Sequence, residues 1–218
     1  MVDALGPPVP LELLSFGLPA TLRLLGEARV RPATPHSPDG GVIADYLGAF
    51  DDPRALAERL AVELGLTVEP FEALDALDIA IDGADQIAPD GWVIKGGGGA
   101  HTREKVVAAA SARFVVIASS DKVVDALGPP VPLELLSFGV PATLRLLGEA
   151  QVRPATPPSP DGGVIADYLG AFADPAALAA QLTGIPGVVE HGLFSAEIVS
   201  DVLIARGEEV EHRHVVAT

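Results

Sequence analysis

An α/β fold carrying ferredoxin-like α+β modules, one of them duplicated at the N-terminus, is predicted for this 218-residue chain by three observations. Short apolar runs at 77–81 and 113–118 read as buried parallel strands. Residues 2–60 recur at 124–182, and fifty-two of the 59 pairs are identical. Each copy runs strand, helix, strand, strand, helix, strand, the order of a ferredoxin-like sandwich. The spacing is too long for a solenoid, whose repeats run about 20–50 residues, so one module is used twice.

The elements follow in order. Residues 9–16 read as a strand. Pro19 opens a helix to residue 25, because proline suits an early helical position. A second strand spans 29–33, Ser37-Pro38-Asp39-Gly40-Gly41 is a turn, and a third strand spans 42–50. Asp51-Asp52-Pro53 caps a helix to about residue 64. Gly65-Leu66-Thr67-Val68-Glu69 is strand-like, as is Gly187-Val188-Val189-Glu190 at the matching place of the second copy. Between the copies, Pro89-Asp90-Gly91 turns the chain into a strand at 92–94. Thr102 N-caps a helix to about residue 112. Residues 202–205 and 210–216 flank a Gly207-Glu208-Glu209 turn and form a hairpin or extend a sheet. The expected domains are an extra α+β module at 1–66, an α/β core at 67–123, the second module at 124–194 and terminal strands at 195–218.

Composition narrows the function. A net charge of −16 disfavours nucleic acid and anionic membranes, which call for clustered Lys and Arg. No apolar run approaches the roughly 18 residues of a membrane span. The start shows no basic and apolar leader, and there are no cysteines for disulfides, thiolate metal sites or a thiol nucleophile. A cytoplasmic protein is expected.

Against this charge, all three lysines (Lys95, Lys105 and Lys122) fall in one window. It holds Asp82-Gly83-Ala84-Asp85, Lys95-Gly96-Gly97-Gly98-Gly99-Ala100, Arg103-Glu104-Lys105 and Ser120-Asp121-Lys122. A small anionic substrate explains the clustering. Asp82 and Asp85 follow a strand end, where open α/β sheets bind ligands, and can accept from sugar hydroxyls; Asp82-Gly83 reads equally as a turn. The glycine loop can bring amides to an anion at a helix start, or serve as a connector. Glu104 either complements the helix dipole or acts as a general base, with Lys95 facing the developing oxyanion. Arg103 and Lys105 are expected at the surface or in a dimer contact. Lys122 is a solvated lysine or an anion contact. The histidines (His36, His101, His191, His212 and His214) show no metal-ligand spacing with acids on one helix. His212 and His214 share a strand face, but two ligands do not make a site, so no metal is expected.

Together these motifs, with Ile185-Pro186-Gly187-Val188-Val189-Glu190-His191-Gly192-Leu193-Phe194, resemble the type A ribose-5-phosphate isomerases from about Leu60 to the C-terminus. The resemblance implies a partial Rossmann-like parallel sheet core and a metal-independent, cofactor-free, cytoplasmic homo-oligomer. It also implies interconversion of ribose 5-phosphate and ribulose 5-phosphate in the pentose phosphate pathway. Carried over, Glu104 moves a proton between C2 and C1 through an enediolate. Asp82, Gly83, Ala84, Asp85 and Lys95 bind the reactive sugar end, the Gly96, Gly97 and Gly98 amides line the pocket, and Lys122 helps hold the phosphate. The second module copy becomes the family's inserted domain. The family's Gly-Thr-Gly-Ser-Thr phosphate loop occurs nowhere in this sequence, and residues 1–60 are module instead. Severely reduced activity is therefore expected. The rivals are a non-catalytic homologue whose doubled module serves structure or association, and a sugar-phosphate binder.

Overall fold

The computed structural model describes residues 9–13, 28–30, 42–46, 62, 69–206 and 209–215. The chain divides into two units, one of residues 1–73 with 207–209, the other of 74–206 with 210–218. In the first unit, β1 (Val9–Leu13), β2 (Ala28–Val30) and β3 (Val42–Tyr46) form an antiparallel sheet in the order β1-β3-β2. The first copy's expected helices, its turn at 37–41 and the strand at 65–68 lie outside the described residues, as do Gly207 and Glu208.

The second unit holds two layers of sheet joined by a third. β4 (Ala80–Asp82) and β7 (Phe114–Ser119) pair in parallel. β13 (Asp201–Arg206) pairs in parallel with the other edge of β7, and β14 (Glu209–His214) completes the order β14-β13-β7-β4. The C-terminal strands thus extend the core sheet. A small antiparallel sheet follows from β5 (Gln86–Ile87), β6 (Val93–Ile94) and β12 (Leu193–Phe194), ordered β12-β6-β5. Side chains alternate across a strand, so this sheet serves two cores. Val93 and Phe194 enter one with Phe114, Val116, Val202 and Ile204. Ile94 and Leu193 enter the other, with Leu133, Leu135 and Leu182.

The second module consists of β8 (Val131–Leu135), helix α2 (Val140–Leu147), β9 (Ala150–Val152), β10 (Val164–Tyr168), helix α3 (Pro175–Thr183) and β11 (Val188–His191). Helix α1 (His101–Ala109) precedes it in the core. The module's strands are all antiparallel, in the order β11-β8-β10-β9. That is the ferredoxin-like arrangement expected from the repeat. The first copy keeps the register: Val9 faces Tyr46 as Val131 faces Tyr168.

Strand β8 is buried along its whole length. Val131, Leu133 and Leu135 meet Leu147 of α2 and Leu178 and Leu182 of α3. Pro132 and Glu134 face the other way, towards the glycine loop and α1. Helix α3 begins as its sequence dictates. Asp174 accepts from the Ala176 and Ala177 amides at 2.9 and 3.0 Å, and Pro175 occupies the first turn. Asp174→Ala should therefore lower stability by about 1 kcal/mol, read as a shift of the urea midpoint at unchanged slope. Helix α1 departs from expectation. Ala100, not Thr102, stands at its N-cap without a side-chain bond. The Thr102 hydroxyl instead donates to the buried Glu134 carboxylate, which also accepts from Ser159.

Candidate active site

Lys95 leaves strand β6 beside β12, its amide bonded to the Gly192 carbonyl at 2.9 Å. Its side chain is 4% exposed, and its ammonium has three hydrogens to place. One meets the Gly83 carbonyl at 2.5 Å. The ammonium also forms ion pairs with Asp82 Oδ2 at 2.9 Å and Glu104 Oε2 at 3.1 Å, the latter oxygen accepting no hydrogen bond among the described residues. Asp82 ends β4 and Glu104 sits in the first turn of α1, so sheet edge, strand end and helix start converge on one cation. Phe194 lies below, its ring centre 5.7 Å from the ammonium. Burial raises the Glu104 carboxyl above its ordinary value, while Lys95 pulls it down less strongly.

The glycine loop packs tightly. Gly96 has φ +107, which only glycine adopts readily, and a Cβ there would stand 2.7 Å from His101 Nδ1 and 2.8 Å from Pro132 Cβ. The Gly97 amide donates to Asp85 Oδ2 at 2.7 Å, so that amide is committed within the protein. Gly98 faces open space. Arg153 of the second module fixes the loop from outside. It donates to the Gly96 and Gly97 carbonyls at 3.2 and 2.9 Å and grips Asp167 in a two-pronged pair. The second copy therefore packs against the glycine loop. Gly192 also permits close approach, since a Cβ there would lie 2.1 Å from the Lys95 carbonyl. Gly192→Ala should displace Lys95 and cost at least about 1–3 kcal/mol, measured by denaturant unfolding alongside activity.

The sequence-predicted residues thus divide. Asp82, Gly83 and Glu104 gather round Lys95, and Asp85 and Gly97 form a separate hydrogen-bonded pair. Ala84 lies in the chain linking Asp82 and Asp85. Lys122 ends a short helical turn beyond β7, the neighbour of β4. Its side chain is 42% exposed and its ammonium 3.9 Å from Asp121, with no ion pair to the Lys95 cluster among the described residues.

Lys105 corrects the expectation of a surface role. It is half-buried, donates to Glu190 Oε1 and the His191 carbonyl at 2.6 Å each, and lies 5.0 Å from the Phe194 ring centre. Burial and the Lys105 charge push His191 down to about 4. His101 is fully buried, and burial lowers it as well. The signal lay in helix spacing: His101, Lys105 and Ala108 share a face of α1, which points inward. Arg103 projects outward and pairs with Asp161.

Known proteins place this arrangement. Residues 55–209 match the family of ribose 5-phosphate isomerase A (phosphoriboisomerase A). A ribose-5-phosphate isomerase A of Bradyrhizobium diazoefficiens is 41% identical over 192 residues, covering 78% of this chain and 79% of that protein. The crystal structure of the Neisseria gonorrhoeae enzyme superposes with a TM-score of 0.68 at 30% identity, over 76% of each chain. A D-ribose-5-phosphate isomerase in complex with phospho-erythronic acid gives 0.65 at 31% identity, over 73% of this chain and 75% of that one. Sequence and fold agree, and the chain belongs to the ribose 5-phosphate isomerase A family.

Proposed function

We propose that this chain interconverts ribose 5-phosphate and ribulose 5-phosphate through an enediolate, with Glu104 as the acid–base group. The observation that carries the reading is the Glu104 carboxylate, half-buried and 3.1 Å from a buried ammonium, beside a glycine loop. Glu104 takes the proton from C2 of the open-chain aldose, and the electron pair forms the C1–C2 double bond, leaving negative charge on O1. The O2 hydroxyl proton then passes to O1, and Glu104 returns its proton to C1. Proton uptake neutralises Glu104 and weakens its hold on Lys95. The ammonium is then free to stabilise the oxyanion as charge develops there. Asp82 and Asp85 accept from sugar hydroxyls, and Lys122 reaches the phosphate. The Gly96 and Gly98 amides line the pocket. The relative's complex with phospho-erythronic acid supports a phosphorylated ligand. Residues 124–194 serve as the inserted domain that braces the loop through Arg153.

The absence of Gly-Thr-Gly-Ser-Thr from the sequence bears on rate. A hydrogen bond to a charged group contributes about 1.5–3 kcal/mol, so three lost phosphate contacts amount to roughly 5–9 kcal/mol if independent. Remote binding also supports the chemical step. A coupled isomerase assay on the 218-residue chain should give turnover with kcat/KM below the usual range of about 10⁴–10⁸ M⁻¹s⁻¹. A value inside that range overturns the rate argument. No turnover, with no thermal shift on adding ribose 5-phosphate, overturns the function.

A further inference from the structure

We propose that Asp201, His212 and His214 form a binding site for one divalent transition-metal ion of the zinc type. His212 and His214 are two apart on β14, so both rings rise from the same face, with centres 4.2 Å apart. Asp201 opens the adjacent β13 and is buried. His212 Nε2 and His214 Nδ1 each lie 2.7 Å from the same oxygen, Asp201 Oδ1. All three potential ligand atoms stand within 4.8 Å of one another. Two imidazoles and a carboxylate suit zinc, whose bonds of about 2.0–2.2 Å put tetrahedral ligand atoms roughly 3.4 Å apart. The rings need to retreat by less than about 1 Å from Oδ1 to reach that spacing. They are free to do so, being 41% and 72% exposed.

The protons balance. A neutral imidazole carries one N–H, so the metal takes the bridging position and the proton moves to the other ring nitrogen. Arg113 Nε holds the second oxygen, Oδ2, at 2.7 Å and orients the carboxylate. Its charge opposes a cation, but its side chain is 52% exposed, where water screens it. Three protein ligands leave a fourth position for water, and His214 borders a cavity of about 410 Å³. The site is separate from the isomerase chemistry. Asp201 is level with Val115 of β7 and Asp82 with Val116, and successive residues point to opposite faces. The ion would pin the edge strand β14 to the sheet.

Equilibrium dialysis of the metal-free full chain against micromolar zinc tests this. The expected result is one equivalent bound and a melting temperature that climbs with zinc concentration. Both effects are lost in the His212→Gln/His214→Gln double variant, while isomerase turnover stays unchanged by loading. His214→Ala, at the more exposed position, provides a second variant whose fold circular dichroism can check, and it too should lose the ion. Absence of bound zinc in the wild type, or undiminished binding in the folded variants, overturns the site and leaves two imidazoles merely hydrogen-bonded to a buried carboxylate.

Discussion

Exchanging Glu104 for Gln should lower kcat on ribose 5-phosphate by about 10²–10⁴-fold and leave KM within a few-fold of wild type. Gln keeps the shape, but its amide cannot take the C2 proton. The loss therefore falls on the chemical step rather than on binding. Stability should move the other way. Burial raises the Glu104 carboxyl above its ordinary 4.5. A carboxyl whose folded value exceeds its unfolded value favours the native state below the unfolded value, and that contribution disappears as pH rises through the folded value. At neutral pH the ionised group thus costs stability, and Gln removes the cost. A variant that is nearly inactive yet unfolds no earlier in urea separates a catalytic group from a structural one. A variant equally destabilised and inactive would point to a packing role.

Lys95→Met should be the more damaging change to the fold. Methionine fills much of the same volume, but two carboxylates then face a site stripped of its cation. Breaking a buried ion pair on one side costs about 3–5 kcal/mol. Asp82 and Glu104 are 39% and 27% exposed, so water reaches both and the low end of that range is expected. The pH–rate profile provides the sharper readout. In the wild type, Lys95 holds the Glu104 carboxyl down, while Asp82 and Asp85 push it up. Removing the lysine leaves only the upward influences. The acidic limb of kcat/KM, which reports the free enzyme, should move further towards neutral pH. An unmoved limb would mean that Glu104 is not the titrating base.

Much of this was legible because it is local. The Asp82-Gly83-Ala84-Asp85 turn, the glycine run and Glu104 lie close in sequence and meet at one sheet edge, so reading the motifs in order brings them together. The module's topology was legible because the same strand and helix signals occur twice, and Asp174 before Pro175 marks a helix start on any reading. What escaped were contacts between distant segments. Arg153 reaches the loop from the second module, and Glu134 draws Thr102 away from its expected cap. Neither pairing leaves a trace in spacing. Strands β5 and β12 have two residues each, too few to display a period of two. Lys105 was legible but misread, because its place beside Glu104 in sequence drew attention from its place below His101 on the helix. His212 and His214 were seen as a pair. Their third partner, Asp201, comes from the neighbouring strand and was not.

The most direct test of the mechanism follows hydrogen at the reacting carbons. Ribose 5-phosphate incubated with the wild-type chain in heavy water should yield ribulose 5-phosphate carrying solvent deuterium at C1, detected by NMR, as a base that exchanges its proton with solvent requires. Under the same conditions Glu104→Gln should give neither product nor label on the wild-type timescale. Deuterium entering at the wild-type rate in the variant would show that another group carries the proton and would contradict the account.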